Sequence, residues 1–398
     1  MLESESGKKP SLIELAAKPE RTSTLKGLTI ANLPSWLEQL KSKNLERFSV
    51  LDKIYYIEEI PPAVFSNHPN LKIIAARLGL TVEDLTTPLV RVNNKVTGEQ
   101  VTFSPLRARR GLVNRPASLS ETKESKNDPA LCDLCHAWTN TPEDEAMGRV
   151  LVGRCMTAGN IFAFAPYHDL IFPSAEFHNP SSFTGTLFEE MIQVAKLWSK
   201  KVFEHDRNAR FFSIGWNKLP RAGATKFHSH WQITQDDTPE PEVRDLSERF
   251  FTHRLWSGGS YEGNLTFALG PELVHQIGEA RIVFHLSPRK EKEAIIFVPK
   301  LNRDLAVALD LLLDFWQSKL NVTSWNMAIL GPPVHVYNEE RARWESFPHM
   351  TRIVDRGVED SPVSDIGYKE LYNLGTVVSY DPFELSRAFG RYLGSGTT

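Results

Sequence analysis

Phe227-His228-Ser229-His230-Trp231-Gln232 is the stretch on which the reading of this chain turns. Its apolar-polar alternation predicts a strand over residues 227–234. Side chains on a strand alternate between faces, so His228, His230 and Gln232 would share one face while Ser229 and Trp231 take the other. Two imidazoles and a carboxamide in one row are costly to bury without partners, at roughly 1–3 kcal/mol for each unsatisfied group. The row is therefore a candidate site, the bland alternative being a surface strand with fortuitous histidines. A lone His-x-His does not choose between the two, because single short motifs also occur by chance.

Upstream, Trp216-Asn217 leads through Arg221-Ala222-Gly223-Ala224-Thr225 into the histidines. Small residues at that point let a phosphate approach the backbone closely. Asn217 supplies an amide donor and Thr225 a hydroxyl. Further upstream stands Cys132-Asp133-Leu134-Cys135, after a loop ending in Asn127-Asp128-Pro129. A Cys-x-x-Cys pair binds zinc or does redox chemistry, and a redox pair usually opens a helix after a strand. The preceding loop favours the metal. Without a second Cys-x-x-Cys, the remaining ligands must be histidines or carboxylates. His168 and His228 are the candidates, with His136 ranked lower because its ring sits too close along the chain. Two unliganded buried cysteines are the bland alternative. Cys155 reads as core. Earlier still, residues 91–101 read as a hairpin, followed by Ser104-Pro105-Leu106-Arg107-Ala108-Arg109-Arg110. An isolated Arg cluster is usually a solvated turn, but planar guanidinium groups also clamp phosphate bidentately.

The rest of the chain supplies a frame for these motifs. Residues 33–90 read as helical, interrupted at Pro61-Pro62, with Trp36, Leu37, Leu40 and Leu45 on one helix and Ile73, Ile74, Leu78 and Leu80 on another. Residues 118–129 read as an exposed loop. Strands are expected over 161–165, 211–216 and 227–234. Between the first two, Leu187, Met191, Val194, Trp198 and Val202 recur at helical spacing. A second series follows, with strands over 281–286 and 294–298, a helix marked by Leu305, Leu309, Leu312 and Trp316, and strands over 324–329 and 350–354. The order strand, strand, helix, strand, strand thus appears twice, near 150–235 and near 278–356, as in a degenerate internal duplication. The expected class is α+β: two fused half-domains with largely antiparallel sheets and helices on one face, plus an N-terminal helical extension. The divisions fall at 1–90, 91–250 and 251–398.

The 398 residues are enough for such a pair of cores. A formal net charge of −3 gives no global field for nucleic acid or an anionic membrane, so an anionic ligand must be held by local cations. No apolar run approaches the ~20 residues that span a bilayer. Residues 1–10 are polar and lack a signal core, and 3 cysteines are too few for a disulfide framework, so a reducing cytoplasm is expected.

Taken together, these features resemble the galactose-1-phosphate uridylyltransferase branch of the histidine-triad superfamily, over residues 91–392. The opening pattern Arg-x-Asn-Pro-Leu-Thr-Gly with Ser-Pro-x-Arg-x-x-Arg is similar to Arg91 to Gly98 with Ser104 to Arg110. The family's zinc knuckle resembles Asp128-Pro129 with Cys132 and Cys135, and its Ser-Pro-x-His ligand resembles Ala165-Pro166-Tyr167-His168. Its Asn, 11 residues before the first motif histidine, is similar to Asn217, and its His-Pro-His-x-Gln to His228-Ser229-His230-Trp231-Gln232. The resemblance implies a structural Zn2+ on Cys132, Cys135, His168 and His228. It also implies a nucleophile at His230, phosphoryl binding by Gln232, and nucleotide-phosphate contacts from Asn217, Thr225, Arg107 and Arg110. In the second half, residues 280–299 resemble the family's strand pair and residues 325–333 its apolar strand and Gly-Ala-Pro turn. There the sequence departs. Leu330 and His349-Met350-Thr351 stand where the family holds a second metal, Thr376-Val377 after Gly375 where it recognises a hexose, and Ser229 where it has Pro.

The function implied is transfer of a nucleoside monophosphate through a covalent nucleotidyl-histidine. The donor would be a nucleotide sugar or a dinucleoside polyphosphate, and the acceptor a sugar 1-phosphate or another phosphate. A phosphorylase using inorganic phosphate is the alternative, since the dinucleoside-polyphosphate phosphorylases share fold and nucleophile. A hydrolase is disfavoured by Gln232, and a non-catalytic nucleotide-binding protein is the reading from another class. A homodimer is suggested by the resemblance alone.

Overall fold

The computed structural model describes residues 27–61, 70–77, 81–85, 88–104, 128–179, 183–357, 359, 361 and 364–395. Two sheets organise them. The smaller has the order β1-β2-β3-β14, built from β1 (Tyr55–Ile60), β2 (Leu89–Asn94), β3 (Gln100–Phe103) and β14 (Gly375–Val378). Its first two pairings are antiparallel, and β14 joins β3 in parallel. The β2–β3 hairpin is the one expected over 91–101. Asn94 Oδ1 accepts from the amides of Val96 and Thr97, both at 3.0 Å, and Gly98 takes the turn's positive φ of 78°.

The larger sheet holds β4 (Leu151–Val152), β5 (Cys155–Gly159), β6 (Tyr167–Pro173), β7 (Phe211–Lys218) and β8 (Trp231–Asp236) from one half of the chain. The other half gives β9 (Val274–Ile277), β10 (Ala280–Val283), β11 (Ala294–Val298), β12 (Trp325–Leu330) and β13 (His349–Asp355). Their order is β4-β5-β6-β8-β7-β12-β13-β11-β10-β9. Read outward from the β7–β12 seam, the two halves repeat one another strand for strand, which is the duplication expected from sequence. The seam is antiparallel and runs from Trp325↔Lys218 to Ile329↔Ile214.

Each half carries a long helix between its third and fourth strands. Helix Gly185–His205 buries Leu187, Phe188, Met191, Val194, Trp198 and Val202, a stripe at three- and four-residue spacing. Helix Arg303–Leu320 buries Leu305, Leu309, Leu312 and Trp316, and Asn302 caps it by accepting from the amides of Asp304 and Leu305. The two helices pack on the sheet and on each other. Trp231, Ile233 and Gln235 of β8 face helix Gly185–His205, where Gln235 Nε2 donates to Ser199 O at 3.2 Å. Gln232 and Thr234 therefore lie on the opposite face, the face that carries the chemistry.

Several sequence expectations are corrected. The region before residue 90 is helical over Leu33–Lys43 and Leu45–Ile54, then turns into strand β1, because Tyr55 to Ile60 finds a partner in β2. Residues 161–165 form an exposed turn, not a strand, with Ile161 74% and Phe162 82% exposed. The strand that leads helix Gly185–His205 is instead β6. The strand expected over 227–234 begins only at Trp231, so His228 to His230 precede it as irregular chain, with a bend at Phe227 and His228. The division placed at 250 lies inside helix Pro241–Ser257. Residues 105–127, with most of the expected 118–129 loop, fall outside the described residues. No helix among the described residues is long and apolar enough to cross a membrane.

Candidate functional site

Asp128 opens the cysteine knuckle by accepting from the Ala130 amide at 2.9 Å, which caps the short turn Pro129–Leu131. The Cys135 amide then donates to Cys132 O at 3.0 Å, folding both thiols to one side. His228 closes on them. Its Nδ1 lies 3.4 Å from Cys135 Sγ and 3.7 Å from Cys132 Sγ, while its Nε2 lies 3.0 Å from Pro173 O. A carbonyl only accepts, so Nε2 carries the proton and Nδ1 turns a lone pair to the sulfurs. The fourth donor is His178, with Nδ1 3.2 Å from Cys135 Sγ. The four donor atoms lie within 4.8 Å of one another, and the two histidines are buried. Burial and the neighbouring Cys132 push the Cys135 thiol up to about 12, and burial with the neighbouring His178 lowers His228 to about 4. Two thiols and two imidazoles gathered this closely form a donor set that fits a metal ion with tetrahedral preference.

The structure brings together three of the four expected metal ligands and replaces His168 with His178. Strand register is the reason. His168 pairs with Thr234, while the metal group lies beyond the Ile171↔Trp231 pair, at the Pro173 end of β6. At roughly 3.3 Å per residue, His168 is some 15–20 Å along the strand from that end. It serves a different neighbour: its Nε2 lies 3.1 Å from Gln232 Oε1 and 2.9 Å from Asn160 Nδ2. The Phe164 ring meets it edge-on at 4.3 Å.

His230 does not join the metal group. Its Nδ1 lies 2.9 Å from His228 O, so the proton sits on Nδ1 and Nε2 is left with a lone pair. The residue is buried, and burial holds its affinity for a second proton below that of an ordinary histidine, with the charge of Lys226 acting in the same sense. The arrangement is a neutral imidazole whose proton-bearing edge is held by the carbonyl of His228, two residues earlier.

Asn217 shares the face of Gln232, since Gly215 pairs with Gln232 and Asn217 stands two residues on. The chain then turns sharply. Leu219 takes φ of 68°, an unusual value for a residue with a side chain, and Gly223 takes φ of 94°. A Cβ on Gly223 would meet Asn217 Nδ2 at 3.9 Å, so the loop backbone passes close to that amide. Thr225 is exposed in the segment before His228. Arg107 and Arg110 lie outside the described residues. Two functional candidates escaped the sequence. His178 follows a short turn with no motif around it, and Asn326 of β12 faces Asn217 across the seam, with its Nδ2 2.6 Å from Asn217 Oδ1. The repeated Trp-Asn of 216–217 and 325–326 is the one signal that points to the second.

No family model matches the sequence, and no curated protein matches it. Solved structures do match by shape. An ADP-glucose phosphorylase from Arabidopsis thaliana, solved with bound ADP-glucose, is 16% identical over 74% of this chain and 96% of its own, with a TM-score of 0.57. A uridylyltransferase is 15% identical over 78% of this chain and 100% of its own, with a TM-score of 0.55. A GalT-like protein from Arabidopsis thaliana is 16% identical over 65% of this chain and 91% of its own, with a TM-score of 0.55. The chain thus shares the fold of these phosphorylase and uridylyltransferase structures, with α+β architecture and largely antiparallel sheets.

Proposed function

We propose that this chain is a nucleotidyltransferase that carries a nucleoside monophosphate on His230. The observation that carries the reading is the tautomer of that ring. With Nδ1–H engaged by His228 O, the free Nε2 lone pair is a nucleophile that needs no base to strip it. Nε2 attacks the α-phosphorus of a nucleotide sugar or dinucleoside polyphosphate. A P–N bond forms, the P–O bond to the leaving group breaks, and the departing phosphate ester keeps the electron pair. An oxygen of a second phosphate then attacks the same phosphorus, and the P–N bond breaks. Phosphate leaving groups are already acidic, so the protein's task is to hold charge at phosphorus. Gln232 and Asn217 present amide donors to it, and Thr225, Arg107 and Arg110 are the further contacts this reading assigns.

Cys132, Cys135, His178 and His228 would hold Zn2+. Four protein donors would leave no open position, so the ion's contribution would be structural, fastening His228 and with it the carbonyl that holds His230. The chemistry of a nucleoside phosphate donor with a phosphate acceptor belongs to soluble metabolites of the cytoplasm, where free thiols persist.

The test is intact-protein mass spectrometry after incubation with ADP-glucose, UDP-glucose and a dinucleoside tetraphosphate. One nucleoside monophosphate per chain is expected from at least one of them, and none on His230→Gly, which should still fold and retain the metal. A His230→Gly protein that turns over the ordinary donor at near-normal rate would falsify the assignment.

A phosphorylase, with inorganic phosphate as acceptor, is the second reading. Thr376 and Val377 favour it. They stand where the uridylyltransferase pattern recognises a hexose, yet both belong to β14, and Thr376 Oγ1 donates to Pro288 O at 2.9 Å. Side chains committed to the smaller sheet leave that sugar contact unmade. Product formed with phosphate against product formed with a sugar 1-phosphate separates the two readings.

A further inference from the structure

A carboxamide that binds phosphoryl oxygen must offer its nitrogen, and the two ends of an amide look alike. Their identities have to be argued from partners whose roles are not in doubt. Asn326 has two such partners. Its Nδ2 lies 2.8 Å from Ala222 O, a carbonyl that only accepts. Its Oδ1 meets Arg356 Nη1, a guanidinium that only donates. Both contacts fix Asn326 the same way round. Its second N–H then points at the Asn217 side chain, 2.6 Å away. The Asn217 atom that receives it must be the oxygen. Asn217 Nδ2 is thereby turned away from the seam and toward the Gly223 backbone of the loop that leads into His228.

We infer that Asn326 and Arg356, both from the second half of the chain, are positioning residues that set the polarity of Asn217 toward the transferring phosphoryl group. The inference rests on the nucleotidyl-transfer reading. The relay is anchored both in the second half and on the loop that leads into His228. Arg356 is held by Asp365 through Nε at 2.7 Å and Nη2 at 2.9 Å, and its carbonyl accepts from Arg221 Nε at 2.9 Å. Without the Asn326 donor, the Asn217 amide is free to turn over and present oxygen to oxygen, replacing an attraction by a repulsion at the reacting centre. The second half thus acts on the first by fixing which end of one amide faces the substrate.

The test is a double-mutant cycle on the single-turnover rate at which His230 takes up the nucleotide, using whichever of ADP-glucose, UDP-glucose and a dinucleoside tetraphosphate labels the unmodified protein. Asn326→Leu and Arg356→Met should each slow labelling by about 10- to 100-fold, less than or similar to the loss of one preorganised donor. Arg356→Lys keeps a donor to Asn326 Oδ1 and should return the rate to within about threefold. On an Asn217→Ala background, Asn326→Leu should cost nothing further, because the residue through which it acts is gone. Undiminished labelling in both Asn326→Leu and Arg356→Met, or an equal further loss on Asn217→Ala, overturns the inference. If Asn326→Leu fails to fold, as judged by metal content and circular dichroism, the Arg356 pair decides. Absence of label on the unmodified protein instead overturns the transfer reading. In that case calorimetry with AMP decides the polarity: affinity weakened in Arg356→Met but not in Arg356→Lys supports it, and equal affinity in both overturns it.

Discussion

His168 and His178 end up at opposite ends of strand β6, and only the second reaches the thiols. His178→Ala should therefore lose the bound zinc, while His168→Ala should keep a full equivalent, as measured by elemental analysis of protein purified without chelator. Zinc lost from His168→Ala and retained by His178→Ala would reverse the assignment. The sequence pointed to a metal on two cysteines and His228, because Cys-x-x-Cys and His-x-His are local patterns. It could not show His178, because that ligand is delivered by strand register and a turn, neither of which leaves a mark on the residues nearby. Lys218 carries another residue-scale consequence. It is 2% exposed, with Nζ 3.3 Å from Gln317 Oε1 and 3.8 Å from the centre of the Trp325 ring, and burial lowers its pKa from 10.5 to about 7. Between those values the unfolded chain holds this proton and the folded chain does not. Stability is therefore lost as pH falls from 10.5 to about 7, and the loss is constant below. Lys218→Met removes that penalty. Its urea midpoint should exceed that of the unmodified protein by an amount that grows from pH 10.5 down to about 7 and then levels off; a pH-independent difference would refute this account.

At the scale of elements, periodicity was enough for the two long helices and for several strands of the larger sheet. Helices Gly185–His205 and Arg303–Leu320, and strands β7, β11, β12 and β13, sit where the apolar spacing placed them. It failed where apolar residues have another use. Residues 161–165 are apolar, yet Phe162 and Phe164 stand exposed in a turn, Phe164 against the edge of His168. Residues 55–60 alternate weakly, and only their pairing with β2 makes them a strand. The turn after β12 carries a constraint that no propensity reveals. A Cβ on Gly331 would stand 2.7 Å from His349 Cδ2 and 3.1 Å from Phe212 Cζ, two rings that stack at 6.4 Å across the helix-facing side of the sheet. Gly331→Ala must push one ring or the backbone aside. Overpacking of this kind costs about 1–3 kcal/mol, and a lower thermal midpoint with unchanged zinc content is the expected result. A midpoint equal to that of the unmodified protein would mean the rings yield freely.

At the scale of the molecule, the larger sheet is a duplicated half-sheet joined edge to edge, and the join is a packed interior. Trp216 and Trp325 are both fully buried and meet at 5.2 Å and 89° across the β7–β12 seam, with Phe183 stacked on Trp216 at 5.2 Å. If the seam opened, β7 and β12 would each become an edge with unpaired backbone and exposed indoles, a costly state for either half. The two halves should therefore unfold as one unit, although the metal group belongs only to the first. Tryptophan fluorescence reports the seam and zinc release to a chromophoric chelator reports the first half, so the two should trace one transition in urea. Gly331→Ala gives the test a second form, because the added methyl would press on His349 of the second half and Phe212 of the first, at the join itself. One cooperative unit requires that it shift zinc release and fluorescence to lower urea by the same amount. Zinc release left at its original midpoint while the fluorescence transition moves would mean that the halves are stabilised separately, and that the seam brings Asn326 to Asn217 by docking two independent bodies.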